Sequence, residues 1–251
     1  MLKVTYIQHS CFLVELDDRL LLFDYFDRDT IKDIGYEGKL PKLPEDKRLY
    51  VFASHSHKDH FSLEVLRWAK ERPDTRYILS KDIRLGRNYL VRNGIDPQIK
   101  SAIQFVTPLR QYEMDDMKIE TLRSNDAGVA FLVEACGKTI YHAGDLHWWN
   151  TGQQEFSGEL YGNAYKRELH RIENRHIDVA FVVLDGRMQD MYYLGMEYFL
   201  NHMDVDRVFP MHLWRQYDLI SKFKRRPQLG RLADKVVEMD RENMMFDIEG
   251  E

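Results

Sequence analysis

Short apolar runs, most of them four to eight residues long, follow one another along this 251-residue chain. Near the start, residues 2–7, 11–16 and 20–24 have the length and apolar content of β-strands, and tight turns separate them. A charged stretch at 25–48 follows, and residues 50–54 then predict a buried strand. Because the stretch at 25–48 is long and has no helical pattern, we expect it to be a functional loop, such as a flap over a site.

Helical signals begin after this strand. Ser62 predicts the cap of a helix that runs to about residue 71, and residues 82–93 predict a helix that Gly94 closes. A short strand is expected between them at 77–79. Next comes a predicted β-meander of consecutive strands, at 102–106, 109–113, 117–122, 129–135 and 138–142.

The second half alternates helices and strands. Helices are predicted at 155–174, 194–203 and 215–226, and strands at 179–184 and 206–209. The tail at 236–248 is either a hairpin or a helix–turn–strand. Strands in both halves with helices between them indicate an α+β protein of two sheets between helices, which we interpret as one domain over residues 1–251.

Composition narrows the class of protein. Hydrophobic residues make up 44% and charged residues 31% of the chain, with a net charge of −5, which is typical of a soluble globular protein without a broad nucleic-acid-binding face. The start of the chain has no signal-peptide pattern, and the apolar runs are too short to span a membrane, so we expect a cytoplasmic protein. Cys11 and Cys136 lie in apolar contexts and are expected to be buried free thiols.

The stretch His55-Ser56-His57-Lys58-Asp59-His60 carries the clearest chemistry. Three imidazoles and a carboxylate follow the end of a predicted strand, and this set of donors suits zinc, iron or manganese. His55 and His57 are two residues apart, so an extended chain points both to the same side. Asp59 and His60 follow in a turn and can serve a second position.

Other segments support a metal site in the same order as in a known family. They are Thr5–Phe12 (TYIQHSCF), Leu21–Asp24 (LLFD), Ile140–Asp145 (IYHAGD) and Phe209–His212 (FPMH). Together with the histidine stretch, these segments resemble the metallo-β-lactamase superfamily over nearly the whole chain. The resemblance is greatest to its small bacterial metal-dependent hydrolases, including the group near ascorbate-6-phosphate lactonase. It implies an αββα four-layer sandwich.

The resemblance also implies a set of metal ligands. His55 and His57 would bind metal one, Asp59, His60 and His212 would bind metal two, and Asp145 would bridge them. One or two Zn²⁺ ions are expected, with Mn²⁺ or Fe²⁺ as alternatives. Two dications lower the pKa of a bridging water, and Asp59 is the expected catalytic carboxylate that orients the resulting hydroxide.

One ligand of the family pattern is missing. The third histidine of metal one belongs in the stretch at 120–128, which contains no histidine. Arg123 or Ser124 takes its place, and a guanidinium repels a metal ion. We therefore predict that Asp126 is the substitute ligand and that metal one is bound more weakly than metal two.

Weaker candidates surround this set. His9 and Asp24 either hydrogen-bond a ligand or close a turn, and His142 is expected to support a ligand or to be structural. His147, Trp148 and Trp149 follow Asp145 and are predicted to bind substrate, although tryptophans also simply pack. Arg187 either grips an anionic group or forms a structural ion pair. Three further histidines are expected to be inert: His170, His176 and His202.

These patterns favour a metal-dependent hydrolase that uses a metal-bound hydroxide on a small, anionic substrate. A phosphoester, phosphodiester, ester or lactone fits best. A nuclease acting on RNA or DNA is an alternative that the acidic composition disfavours. A non-catalytic metal-binding protein is the other alternative. A small-molecule partner is expected, and no nucleic acid or membrane partner.

Overall fold

The computed structural model describes residues 1–152 and 155–248 and divides the chain into two compact units. The first unit contains Met1–Thr107 and the C-terminal stretch from Glu242, and the second contains Pro108–Arg241. Each unit is built around one β-sheet. The single domain over residues 1–251 stays a prediction.

The strands are short, as the apolar runs predict. In chain order they are β1 Lys3–Gln8, β2 Cys11–Glu15, β3 Arg19–Phe23, β4 Arg48–Ala53, β5 Arg76–Ser80, β6 Ile103–Val106, β7 Gln111–Met114, β8 Met117–Arg123, β9 Val129–Ala135, β10 Lys138–His142, β11 His176–Val183, β12 Asp204–Met211 and β13 Met244–Asp247. The α-helices are α1 Glu64–Arg67, α2 Arg87–Arg92, α3 Glu155–Leu169, α4 Leu194–His202 and α5 Asp218–Lys224. The 3₁₀ helices are Arg28–Ile31, Trp68–Lys70, Pro97–Ala102, Gly186–Met191 and Pro227–Lys235.

The sheet of the first unit has the strand order β13-β1-β2-β3-β4-β5-β6. Pairing is antiparallel from β13 to β3 and parallel from β3 to β6. As a result β1, β3, β4 and β5 all run in the same direction, and their carboxyl ends lie at one edge of the sheet. Loops at such an edge are a common position for binding residues. Buried apolar side chains on these strands form the core of the unit.

The sheet of the second unit has the strand order β12-β11-β10-β9-β8-β7. The segment β7–β10 is an antiparallel meander, and β10, β11 and β12 are parallel. Strand β8 therefore runs in the same direction as β10, β11 and β12. The carboxyl ends of these four strands share one edge, where the loops after them carry polar side chains.

Several predicted elements differ from the structure. Residues 103–106 are not part of the meander, because β6 pairs in parallel with β5 in the first sheet. The tail at 236–248 forms neither the hairpin nor the helix–turn–strand that were predicted, because its strand β13 pairs with β1. The helix predicted at 62–71 is one α-turn followed by a 3₁₀ turn, and the helix at 82–93 contains only Arg87–Arg92. Gly94 closes α2 as predicted, with a φ of 70°.

The two cysteines are free thiols, as expected, but only Cys11 is buried. Cys136 is exposed because it lies in the turn between β9 and β10, with a φ of 51°. The expectation that both thiols are buried was therefore wrong for Cys136. Within the two described ranges, none of the helices combines the length and apolar character needed to cross a bilayer. The cytoplasmic location stays a prediction.

Candidate functional site

In the first unit, polar residues follow the strands that end at the shared edge. His9 follows β1, Asp24 follows β3 and His55 comes two residues after β4. All three side chains are fully buried. His9 and Asp24 also have positive φ angles of 50° and 48°, a conformation that costs a non-glycine residue free energy and is concentrated at functional sites.

The two histidines expected to point to the same side lie in contact. His55 Nε2 is 2.9 Å from His57 Nδ1, and Ser54 Oγ is 2.9 Å from His55 Nδ1. His57 is exposed while His55 is buried. The short loop that carries them is held in place, because the Ser56 N–H donates to Asp82 at 2.8 Å after β5.

His60 is oriented by a buried carboxylate. Its Nδ1 lies 2.7 Å from Asp24 Oδ2, and both side chains are inaccessible to solvent. Asp24 also accepts the backbone N–H and the hydroxyl of Ser54, each at 2.7 Å. With Nδ1 held in this way, Nε2 is the ring nitrogen of His60 that could bind a metal. The alternative that Asp24 hydrogen-bonds a candidate ligand is confirmed.

His9 lies closer to the histidine motif than its position in the sequence indicates. One donor atom from each of His9, Asp59 and His60 lies within 4.8 Å of the others, and His9 Nε2 is 3.3 Å from Asp59 Oδ2. On its other side, His9 Nδ1 is 2.8 Å from the hydroxyl of Tyr36. Tyr36 belongs to the long loop at 25–48, and no sequence pattern singled it out.

In the second unit, candidate residues again follow strands that share an edge. An oxygen of Asp126, after β8, lies within 4.8 Å of an oxygen of Asp145, after β10. His142 is buried, and its Nδ1 accepts the N–H of Gly144 at 3.1 Å, so His142 stabilises the turn that presents Asp145. Arg123 is exposed.

Asp185 orients His212 as Asp24 orients His60. His212 Nδ1 lies 2.8 Å from Asp185 Oδ2, and His212 Nε2 lies 3.4 Å from Asp145 Oδ1. Arg187 donates its backbone N–H and its guanidinium to Asp185, with Nε at 2.9 Å from Oδ2. Burial opposes ionisation of Asp185, but the hydrogen bonds and charges of His212 and Arg187 outweigh it and hold its pKa well below the usual range. Sequence reasoning missed Asp185, because we considered only its neighbour Arg187.

The residues after Asp145 pack tightly. His147 is fully buried, and this burial lowers the pKa of its imidazole to about 4. Trp148 donates to the carbonyl of Gly158 in α3, while Trp149 donates to the carbonyl of Asp145 and packs against His147 and His212. These contacts favour packing for Trp148, and they place Trp149 beside a candidate ligand. Substrate binding by His147, Trp148 and Trp149 stays a prediction.

The three histidines expected to be inert are exposed and bonded to neighbours. His170 contacts Glu173, and His202 contacts the carbonyl of Tyr198. His176 bonds Asp204 at 2.9 Å. His170 follows the end of α3, His202 ends α4 and His176 begins β11, away from the strand ends that carry Asp145 and His212.

The donors in both units fit a metal ion of intermediate hardness, which accepts both nitrogen and oxygen ligands. In each unit a buried carboxylate holds the Nδ1 atom of a histidine, and a further carboxylate lies near Nε2. Carboxylate–histidine pairs of this kind fix the ring and strengthen it as a ligand. The mixture of imidazole and carboxylate suits zinc, iron or manganese.

A family model described as "Beta-lactamase superfamily domain" matches residues 3–212. The chain belongs to this superfamily. Among curated relatives, this superfamily member is 27% identical over 236 residues to a UPF0173 metal-dependent hydrolase of Desulforamulus reducens, with 88% of each chain covered. It is 24% identical to one of Korarchaeum cryptofilum, with 94% of each covered.

Solved structures show the fold of this superfamily member. Igni18, a metallo hydrolase of the archaeon Ignicoccus hospitalis, matches with a TM-score of 0.56 and 21% identity, covering 98% of both chains. The metallo-β-lactamase fold protein YhfI of Bacillus subtilis matches with a TM-score of 0.59 and 14% identity, also covering 98% of both. The prediction of an α+β protein with the metallo-β-lactamase fold is confirmed.

Proposed function

We propose that the protein is a metal-dependent hydrolase of a small anionic substrate and that the donors of both units are metal ligands. The observation that carries the proposal is the pair of buried carboxylate–histidine contacts, Asp24 with His60 and Asp185 with His212. A histidine that binds a metal almost always has its other ring nitrogen bonded in this way, which fixes the ring and strengthens the ligand. The relatives described as metal-dependent hydrolases support the same function.

The chemistry divides between the metal and the chain. A bound divalent metal would lower the pKa of a coordinated water and polarise the scissile group. Asp59, whose side chain is 16% exposed, has the access to solvent needed to hold the proton that the attacking water releases. Zinc is the metal we propose, with Mn²⁺ or Fe²⁺ as the alternatives.

The position of Arg187 is the observation that favours an anionic substrate. Its bonds to Asp185 use Nε and Nη2, and its side chain remains 51% exposed. The guanidinium lies over the ring of Trp214 at 4.7 Å and near Trp149 at 6.0 Å, so it is held in one orientation. A fixed and accessible guanidinium beside His212 suits a phosphate or carboxylate group.

The first experiment tests the metal and the reaction together. Metal-free protein is reloaded with Zn²⁺, Mn²⁺ or Fe²⁺ and assayed on chromogenic phosphomonoesters, phosphodiesters and lactones. Replacing His57, His60 or His212 by alanine should lower metal content and reduce turnover by about a thousandfold or more, which is about 4 kcal/mol of barrier. Full metal content and unchanged rates in all three variants would contradict the proposal, and metal binding without any turnover would favour the non-catalytic alternative.

The second experiment tests the substrate class. Arg187→Lys should raise KM for an anionic substrate about tenfold more than for a neutral analogue, because a lysine cannot reproduce the planar fork of donors. The matched control is Arg67→Lys, since Arg67 is also half-exposed and paired, with Glu64 on α1. An equal effect on both substrates would indicate that Arg187 only forms a structural ion pair.

A further inference from the structure

His9 lies in a position that a turn alone does not require. Its side chain is fully buried at the edge where β1, β3 and β4 end, and its φ of 50° places it in the left-handed region. That conformation costs a non-glycine residue about 1–2 kcal/mol. A glycine would form the turn before β2 without this cost, so the imidazole itself must contribute.

The distances around Asp59 indicate what the imidazole contributes. Two atoms that each lie about 2.0–2.2 Å from one tetrahedral ion are about 3.3–3.6 Å apart. His9 Nε2 is 3.3 Å and His60 Nε2 is 3.8 Å from the same oxygen, Asp59 Oδ2. A charge-assisted hydrogen bond would be shorter, at about 2.7–2.9 Å. The His9 distance therefore lies in the range for two ligands of one ion, and the His60 distance exceeds that range by 0.2 Å.

Tyr36 fixes the far side of the His9 ring. Its hydroxyl lies 2.8 Å from His9 Nδ1, the two rings have centroids 5.6 Å apart, and Phe26 packs edge-on against both rings. A phenol oxygen that accepts the Nδ1 proton leaves the lone pair on Nε2, which is the atom that faces Asp59. Tyr36 thus orients the His9 ring in the same way that Asp24 orients the His60 ring.

The loop that carries Tyr36 is anchored on both sides of that residue. Gln8 Nε2 donates to the carbonyl of Phe26 at 3.0 Å, before Tyr36. After it, the N–H of Glu37 donates to Glu242 at 2.6 Å and the N–H of Lys39 donates to Asn243 at 2.7 Å. These bonds hold Tyr36 beside His9. The loop that carries Tyr36 therefore supports the His9 ring and does not act as a flap.

We propose that His9 binds the metal directly through Nε2, together with Asp59 and His60, and that Tyr36 orients it. This proposal rests on the proposed function, because it adds a ligand to the same metal-binding residues. Two imidazoles and one carboxylate form a set that binds zinc, iron and manganese. The metal held by Asp59 and His60 would then have a ligand outside the motif at 55–60.

The test compares cobalt binding by four variants of the full chain. Asparagine tolerates a positive φ, so His9→Asn keeps the backbone of the turn while removing the imidazole. We expect it to weaken Co²⁺ binding by more than about a hundredfold, beyond the range for residues that only support a ligand, and to change the visible Co²⁺ absorption. Tyr36→Phe should weaken binding about 10–100-fold while keeping the number of bound ions. His170→Asn is the matched control and should bind as the parent does, and His60→Ala measures the loss of an expected ligand.

The outcomes separate the two proposals. Unchanged Co²⁺ affinity and absorption in His9→Asn, with loss of binding in His60→Ala, would overturn the role of His9 and leave the proposed function standing. Unchanged binding in both would overturn both. Unchanged binding in Tyr36→Phe alone would overturn the role of Tyr36.

A measurement on the parent chain guards against a folding defect in His9→Asn. In protein with ¹⁵N-labelled histidine and bound ¹¹³Cd²⁺, His9 Nε2 should show scalar coupling to the metal. Absence of this coupling, with coupling present at His60, would likewise overturn direct binding by His9.

Discussion

Replacing Asp24 by asparagine tests whether a buried carboxylate sets the tautomer of His60. Asparagine has the same shape and tolerates the φ of 48°, so the backbone after β3 should not change. Asp24 Oδ1 accepts the N–H of Ser54, while Oδ2 accepts the hydroxyl of Ser54 and faces His60 Nδ1 at 2.7 Å. The backbone N–H of Ser54 can only donate, so the amide oxygen must take the place of Oδ1.

The amide nitrogen then faces His60 and can only donate to it. His60 Nδ1 becomes an acceptor, its proton moves to Nε2, and Nε2 loses the lone pair that binds a metal. Loss of a supporting group of this kind lowers metal affinity about 10–100-fold, which is about 1.4–2.8 kcal/mol. Stability of the metal-free protein should change less, by about 1 kcal/mol, because loss of charge-assisted hydrogen bonds is offset by removal of a buried charge.

The assay is competition with a chromogenic chelator for Zn²⁺, alongside urea unfolding of the metal-free protein. Asp178→Asn is the control, since Asp178 also accepts a backbone N–H, from Thr139 at 2.8 Å, but lies near the start of β11 rather than after a strand. Equal Zn²⁺ affinity in Asp24→Asn and the parent would refute the reasoning about the tautomer. A large loss of stability without a change in affinity would refute the assigned role of Asp24 as well.

Three further predictions concern core packing, thiol exposure and a surface histidine. Gly195→Ala should lower the unfolding free energy by about 1–3 kcal/mol in urea denaturation, because its Cβ would lie 2.5 Å from Nδ1 of the buried His147; equal stability would show that the imidazole moves aside. Cys136 should react with a thiol reagent in the native protein while the other, buried cysteine reacts only on unfolding, so two equivalents labelled at once would contradict the structure. The hydrogen bond to Asp204 raises the pKa of His176, so His176→Asn should be less stable than the parent below about pH 6, and the difference should shrink as pH rises through the raised pKa; a difference that grows with pH would be the wrong sign.

Local patterns predicted the parts of the site that local geometry determines. His55 to His60 follow one strand within six residues, and their spacing alone places the donors together. The segments around Asp145 and His212 were recognised by their resemblance to the superfamily, together with their positions after apolar strands. A strand and the turn after it form one short piece of chain whose geometry few other contacts alter.

The residues that sequence reasoning placed poorly depend on contacts between distant segments. His9 meets Asp59 across 50 positions of chain, and only the strand order of the sheet brings them together. Asp185 gave no signal of its own in the sequence, because its partner, His212, follows a different strand. The signal that was available is position: each of these residues comes within two residues of the end of a strand, as His55 does.

The errors in the fold have a similar origin. Four residues, Ile103–Val106, have the same pattern whether they pair with β5 or with β7, and only the tertiary structure decides between the two sheets. The helix predicted at 82–93 is shorter because Asp82 accepts the N–H of Ser56 and Gly86 is extended, so the residues before α2 support the histidine loop instead.

The pairing of β13 with β1 has a consequence for the order of events during synthesis. Val4 lies opposite Phe246, so the first sheet is completed by a strand made about 240 residues after its partner. Closing so long a loop is slow, and the contacts of Glu242 and Asn243 with the loop that carries Tyr36 cannot form on the ribosome until that strand has emerged. A nascent chain therefore exposes the histidine motif before His9 is fixed beside it, so under the proposed assignment a metal ion that arrives early would meet an incomplete set of ligands. The proposed ligand set would then be complete only after Glu242 and Asn243 have bonded the loop that carries Tyr36.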